Sequence, residues 1–465
     1  MDVVNAVKAS KMKPYQWLIV VLCMFCNMLD GFDFFAMGFV LPYLPDGFAT
    51  STEKGLLISA GLVGMALGAM TIAPLADRFG RRRLMLVGLA FNTGSVIFTA
   101  LAANSEMMLF GRFLTGLGVG TISAMIIVTA QEFSSVAKRN LAVGIVTIGF
   151  PLGSTLAGVT GVSLISAFGG AWQAMFWVAA AVSAIGFVLV MLVLPESLAF
   201  LITSDTPNAQ RKIDKIAGRL GMENVGPQSA FAATEADSTH EGSARVLGRG
   251  LREKTLLLWC GYGFLTAAYY FVGTWTPQLI ADASGSAQDG ALAGTIISVG
   301  SLAGSIVFGL IGLKLLATRI AWIALSVSVA SLVLFTLAMG GPFALVMAAI
   351  LGLAVFISIS SYTAMAPPMY PARARARGYG LMVGVSRIGA IITPILAGLA
   401  SSRFAPETIF VVAAIPLALS AVAAVRLWSI TKADFDRELL APTAATPNVL
   451  PHSHTGASVT ARVSE

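Results

Sequence analysis

Charge is what this sequence has least of. Of its 465 residues only 11% are Asp, Glu, Lys or Arg, while 56% are hydrophobic. A soluble chain carries about 25% charged residues because its surface faces water. A chain this poor in charge cannot cover a soluble particle of its size, so lipid covers much of it. Histidine is scarce as well: His240, His452 and His454 all fall in loops or the tail. A proton relay inside an apolar segment would therefore have to use carboxylates. The few cysteines exclude a disulfide framework. Cys23 and Cys26 share the first apolar segment and Cys260 lies in a later one, where small packed residues are the ordinary reading. The net charge of +7 comes from short basic clusters with no continuous basic face, which excludes nucleic acid as a partner. No nucleophile, metal cluster or cofactor motif lies in the apolar segments, so neither an enzyme nor a bound cofactor is expected.

What is present is a series of apolar runs. About 20 such residues are needed for a helix to cross the hydrocarbon. Runs that meet this lie at 17–44, 55–76, 84–103, 107–131, 141–166 and 171–194, then at 255–281, 290–313, 319–340, 343–368, 378–402 and 407–428. The expected fold is an all-α membrane protein of twelve transmembrane helices in two six-helix bundles, 1–194 and 255–428. The polar stretch 195–254 reads as a connecting loop with a short helix around Arg211–Leu220, and 429–465 as a disordered tail. The basic start (Lys8, Lys11, Lys13) leads into a run too long for a signal h-region, without a small-residue cleavage site, so it reads as the first spanning helix.

Lys and Arg give the orientation. With the N-terminus inside, 26 of the 30 fall in cytoplasmic segments, whereas the external loops hold only Lys54 and Arg403. Without the long central loop and the tail the ratio is still 14 to 2. A multi-pass protein of the inner (plasma) membrane is expected, monomeric, with both termini cytoplasmic.

Four ionisable groups remain inside the spans: Asp30, Asp33, Arg112 and Arg387. Each costs roughly 2.5–3.5 kcal/mol on insertion-based scales, which makes it a functional candidate by default. The i,i+3 spacing of Asp30 and Asp33 puts both carboxylates on one helix face, about 60° apart. Counting rise from the helix ends brings them to about the level of Arg112. Two close carboxylates in a partly dry site disfavour joint ionisation, a property a proton carrier needs. The competing reading is structural: a cap or kink at Gly31 with an ion pair to Arg112, and a helix-end partner for Arg387.

The loop after the second run reads Asp77-Arg78-Phe79-Gly80-Arg81-Arg82-Arg83, preceded by Gly68. It resembles the signature loop of the major facilitator superfamily. That resemblance implies a gating role in which Asp77 meets the inner end of the eleventh helix and Arg81 and Arg82 bond to Glu132, with Gly80 part of the same motif. The corresponding second-half stretch, Gly309 to Arg319, lacks the aspartate, so the gate is expected to be asymmetric. Within the superfamily Asp30-Gly31-Phe32-Asp33, Gly111-Arg112 to Gly116, and the run Tyr370-Pro371 through Arg377-Gly378 to Arg387-Ile388-Gly389 resemble the aromatic acid:proton symporters. The implied function is proton-coupled uptake of a benzoate- or hydroxybenzoate-like anion by alternating access, serving aromatic hydrocarbon catabolism, with Asp30 and Asp33 in proton coupling.

The residues suit such a substrate independently. An aromatic carboxylate needs a cation for its charge and ring faces for its body. Arg112 and Arg387 offer the first; Phe34, Tyr269, Tyr270 and Trp275, with Phe32 and Phe35, offer the second. The rival is a proton-coupled exporter of drugs or other organic compounds, suggested by Gly144 to Gly153 in the fifth run. Pro195-Glu196-Ser197 after the sixth run resembles a sugar-porter motif. Both elements also read as packing devices.

Overall fold

The computed structural model describes residues 7, 11–203, 209–220, 247–248, 251–312, 315–339, 341–370 and 372–440. The side chains of 77, 140, 162, 372–377 and 433–440 lie outside that description. Among the described residues twelve helices are long and apolar enough to cross a membrane. They are α1 (Pro14–Val40), α2 (Ser51–Leu67), α3 (Arg81–Ala100), α4 (Ser105–Glu132), α5 (Arg139–Ala167) and α6 (Gln173–Val193). The second set is α7 (Arg252–Ser284), α8 (Ala287–Ile311), α9 (Ala317–Leu337), α10 (Pro342–Met365), α11 (Ala372–Ser401) and α12 (Pro406–Leu440). Helix α12 runs past Trp428, where the apolar run ends, and the rest of the expected tail lies outside the described residues. In the connector, Leu198–Thr203 and Ala209–Arg219 are helical.

Polar caps start several helices at one end of the bundle. The Thr50 side chain accepts from Glu53 N while Glu53 Oε2 accepts from Thr50 N at 2.7 Å, a reciprocal capping box that begins α2. The side chains of Asn104 and Ser286 each accept one backbone N–H, from Met107 and Asp289, at the starts of α4 and α8. Around the bundle the outward side chains are apolar (Val87, Phe110, Val159, Leu192, Leu337, Leu396, Val422), a belt that water does not cover favourably.

The packing repeats. In the first half α1 lies on α5 and α6, α2 on α4, and α3 on α4 and α6. In the second half α7 lies on α11 and α12, α8 on α10, and α9 on α10 and α12. The halves meet through α2 against α11, α5 against α8, and α1 against α7. Helix follows helix in both sets, so the architecture is one six-helix bundle used twice.

Glycine decides how closely these helices approach. A Cβ on Gly55 would strike the Pro394 carbonyl, one on Gly398 would strike Ser51, one on Gly38 would strike Thr274, and one on Gly158 would strike Thr295. All four contacts join the two halves toward the end bearing the α1–α2 loop. Ser59 Oγ also donates to Ile391 O at 2.8 Å, and Lys54 Nζ to Gln278 Oε1 at 3.2 Å. The bundle is therefore pinched shut at this end.

Candidate functional site

Asp30 and Asp33 lie near the middle of α1, both less than 10% exposed. Gly31 between them lets the backbone of α5 approach at Phe150, which leaves the carboxylates to face the other way. Arg112 projects from α4 and is 2% exposed. Its Nη1 donates to Asp33 Oδ1 at 3.2 Å and its Nη2 to the Asp33 carbonyl at 3.3 Å. Gly61 and Gly116 bring the backbones of α2 and α4 into contact, and Gly61 leaves room beside the guanidinium. A gap of about 10 Å³ lies between Asp30, Asp33, Phe34, Met65 and Arg112, space for at most one water. Among the described residues Asp30 Oδ1 and Arg112 Nε are buried without a hydrogen-bond partner.

Arg387 approaches the same region from α11. Its Nη1 donates to the Tyr270 hydroxyl at 2.9 Å, and it is within electrostatic range of Asp30. Around it rings from both halves meet edge to face. Phe34 lies 4.9 Å from Tyr270, and Phe35 5.8 Å from Tyr269, between ring centroids. Tyr269 also reaches Phe356 on α10 at 6.1 Å. Phe32 is buried in the same core. Trp275 joins none of these ring pairs among the described residues. Five residues beyond Tyr270, it points about 140° away around the helix, and it is fully buried.

The loop after α2 forms a second cluster. Gly80 has φ +96°, a backbone conformation that requires glycine, and a Cβ there would press on the Glu196 carboxylate. Glu196 accepts from Arg82 N at 2.9 Å, placing a negative charge on the N-terminus of α3. Arg81 pairs with Glu132 at the end of α4, and Glu132 accepts from Ser197 Oγ at 2.7 Å and Ala199 N at 2.8 Å. Arg82 reaches the Met191 carbonyl of α6 at 2.6 Å rather than Glu132. Gly80, Arg81, Arg82 and Glu132 thus come together; the side chain of Asp77 lies outside the described residues.

Reading the sequence singled out neither Glu196 nor Ser197 for this cluster. The Pro195-Glu196-Ser197 signal was visible and reads as packing until the fold brings it to the loop. Two glycines of α5 behave as packing devices: Gly149 meets the Met24 carbonyl and Gly153 the Met28 carbonyl, one turn apart on α1, whereas Gly144 has open space around it.

Comparison with known proteins agrees with this architecture. The Major Facilitator Superfamily matches residues 23–368 and 258–455, and the chain belongs to that superfamily. It is 30% identical over 402 residues to the gallate transporter of Pseudomonas putida, covering 85% of this chain and 88% of the relative. It is 29% identical over 407 residues to the 4-hydroxybenzoate transporter PcaK of Pseudomonas aeruginosa, covering 84% and 88%. In fold it is similar to the partially occluded inward open conformation of the xylose transporter XylE from E. coli, with TM-score 0.70 and 15% identity over 90% of this chain and 98% of that one. The protein is a multi-pass membrane transporter, similar to the aromatic acid transporters of its superfamily, and not an enzyme.

Proposed function

We propose that this transporter takes up an aromatic carboxylate together with protons, moving it by alternating access across the inner membrane with both termini cytoplasmic. The observation that carries this reading is Arg387: a guanidinium held by Tyr270, beside Asp30, where rings from the two halves meet. A carboxylate takes the planar fork of an arginine, and a benzene ring takes aromatic edges and faces. Relatives named as gallate and 4-hydroxybenzoate transporters support the substrate class.

In this reading Arg387 and Arg112 supply positive charge, and Phe34, Tyr269 and Tyr270 flank the ring. Trp275 acts from behind them as packing. Asp30 and Asp33 supply the proton chemistry. At neutral pH the substrate is an anion, since carboxyl pKa values lie near 4. Carrying it alone into a negative cell at 100 mV would cost about 2.3 kcal/mol; a proton carried with it removes that cost. The pinched end, holding Lys54 and Ser59, faces outward on the positive-inside count, so this conformation is closed to the outside. The cluster of Gly80, Arg81, Arg82, Glu132 and Glu196, with Asp77, gates the inner side.

The test is initial uptake by proteoliposomes of benzoate, hydroxybenzoates, gallate, protocatechuate and phenylpropanoids, with protein-free vesicles subtracted. At least one aromatic acid should enter faster as the external medium is acidified. Entry driven by sodium and indifferent to pH would overturn the coupling ion. Outward movement of the compound against an inward proton gradient would point to the exporter instead.

A further inference from the structure

The hydroxyls around Arg387 divide into those already engaged and those left over. The Tyr270 oxygen accepts from Arg387 at 2.9 Å. Thr266 Oγ1 donates to the Tyr262 carbonyl at 2.9 Å and Ser386 Oγ to the Val383 carbonyl at 2.7 Å, each within its own helix. On α10, Tyr362 donates its hydroxyl to the Ser420 carbonyl at 3.2 Å. Among the described residues the hydroxyls of Tyr262 on α7 and Tyr379 on α11 make no hydrogen bond. Tyr262 is buried, its ring 5.9 Å from that of Tyr362 between centroids, and within electrostatic range of Arg387, Tyr270 and Tyr379. Tyr379 is half-buried.

Both tyrosines stand on the same side of Arg387. Beyond Tyr270 on α7, Thr274 meets Gly38 and Gln278 meets Lys54, and beyond Arg387 on α11, Pro394 meets Gly55. Those contacts form the pinched end. Tyr262 precedes Tyr270 by eight residues and Tyr379 precedes Arg387 by eight, about 12 Å of rise in each helix. Both therefore lie toward the opposite end of the bundle.

We propose that Tyr262 and Tyr379 are specificity-determining residues that read a ring hydroxyl of the transported acid. The carboxylate sits on Arg387 and the Tyr270 hydroxyl, and the ring extends away from the pinched end. A hydroxyl opposite the carboxylate then meets Tyr262, with Tyr379 next in line. This assignment rests on the aromatic-acid reading proposed above.

The chemistry fits at both ends of such a molecule. With its oxygen occupied by Arg387, Tyr270 keeps its O–H to donate to the carboxylate beside the guanidinium. A hydroxyl opposite the carboxyl group stands roughly 6 Å from the carboxyl carbon, about one helical turn. That distance carries it off Arg387 toward the unpaired tyrosines. A ring hydroxyl has one hydrogen to give and lone pairs to fill, as has each tyrosine. Two tyrosines meet both needs, one donating and one accepting, without adding a charge to the site. An unsubstituted ring would cover the same hydroxyls and leave them unpaired. Sites built in this way reject the analogue that lacks the group. Tyr269 offers a third hydroxyl, but it is level with Tyr270 at the carboxylate end, and its ring is wedged against Phe35, Tyr270 and Phe356.

The test uses purified full-length protein and acids paired by a single ring hydroxyl. The pairs are benzoate with 4-hydroxybenzoate, 3-hydroxybenzoate with 3,4-dihydroxybenzoate, and 3-phenylpropionate with 3-(4-hydroxyphenyl)propionate. Calorimetry should show wild type binding at least one hydroxylated member more tightly than its parent. Tyr262→Phe and Tyr379→Phe keep each ring and remove its hydroxyl. Each should lower that preference roughly two- to tenfold, the worth of one hydrogen bond. Binding of the parent acid should hold or improve, since an unpaired hydroxyl has gone; a merely structural role would weaken both members alike. Tyr269→Phe should leave the preference in place. A further comparison needs no variant and so covers one that fails to fold: 2-hydroxybenzoate, its hydroxyl beside the carboxylate, should gain nothing over benzoate. A preference unchanged in Tyr262→Phe/Tyr379→Phe, a preference lost in Tyr269→Phe, or an equal gain from 2-hydroxybenzoate would overturn the assignment. So would a wild type that binds parent and hydroxylated acids alike. Binding of none of these acids by wild type would overturn the aromatic-acid reading itself, and the assignment would fall with it.

Discussion

The two halves repeat each other's packing helix for helix and carry different chemistry. In the first half lie both intramembrane aspartates, Arg112, and the loop from Gly80 to Arg82 clamped onto Glu132 and Glu196. In the second lie Arg387 and the Tyr269–Tyr270 pair. The corresponding second-half loop has no aspartate to match Asp77. What repeats is what packing requires: glycines at helix contacts (Gly64 and Gly68 against α4, Gly300 and Gly304 against α10) and apolar lipid-facing sides. What differs is charge, which packing in lipid does not require and which is expensive to keep there. The repeat therefore builds the frame, and the asymmetry marks the parts proposed for transport: both aspartates with Arg112 in one half, and Arg387 with its tyrosines in the other.

The largest expected effect breaks that division at Arg387. Arg387→Ala should weaken binding of an aromatic carboxylate by about 2–5 kcal/mol, at least ~30-fold, as truncating one partner of a buried charged pair does. Arg387→Lys keeps the charge but loses the planar fork, so an intermediate loss is expected. Calorimetry or scintillation proximity on purified protein measures both, and unchanged affinity in Arg387→Ala would make this arginine structural.

Next comes the clamp that, among the described residues, belongs to the first half. Glu132→Gln removes the charge that holds Arg81 and weakens a carboxylate that also accepts from Ser197 and Ala199. Loss of about 1–2 kcal/mol from one of two alternating states should change the transport rate about tenfold with substrate affinity little altered. Asp77→Asn is expected to slow transport in the same way at equal expression. A smaller and more local effect is expected of Gly80→Ala. At φ +96° and against the Glu196 carboxylate, an alanine should cost about 1–3 kcal/mol of local stability. A lower thermal midpoint in detergent would show it, and an equivalent change at Gly309, which has open space around it, should do little.

The residues themselves show where reading the sequence stops. Twelve apolar runs and four intramembrane charges were legible because length and burial cost are local properties, whereas the Arg81–Glu132 pair, 51 positions apart, was expected only from the resemblance to the superfamily's signature loop. The choice of Asp33 over Asp30 as the partner of Arg112 was not. The i,i+3 spacing puts both on one face, and the choice depends on how closely α2 and α4 approach through Gly61 and Gly116. For Trp275 composition records an aromatic without its azimuth on α7, which the fold supplies. Glu196 was hidden for the same kind of reason: a lone carboxylate beyond a helix end has many possible partners, and its actual one, Arg82 N, is 114 positions away.

The smallest expected effect sharpens a second contrast, between the pinched end of the bundle and the end bearing the α2–α3 loop. Lys54 on α2 is half-buried and donates to Gln278 on α7, whose Nε2 donates in turn to Asp282 at 2.7 Å. The bond crosses from one half to the other, so it exists only while this end is closed. Lys54→Ala removes it and leaves the Gln278 oxygen to find water, costing the closed state about 1 kcal/mol. The ratio of open to closed forms should then rise about fivefold, since 1.4 kcal/mol is tenfold. Thr276, fully buried on α7 two residues before Gln278, supplies the reporter. In a background with Cys23, Cys26 and Cys260 replaced by alanine, Thr276→Cys should react slowly with an impermeant maleimide from outside, and several-fold faster when Lys54→Ala is added. Because Ser59 and the four glycine contacts remain, the shift should stay modest. An unchanged labelling rate would mean that backbone contact at Gly55, Gly398, Gly38 and Gly158 holds this end shut, with Lys54 contributing nothing to the balance.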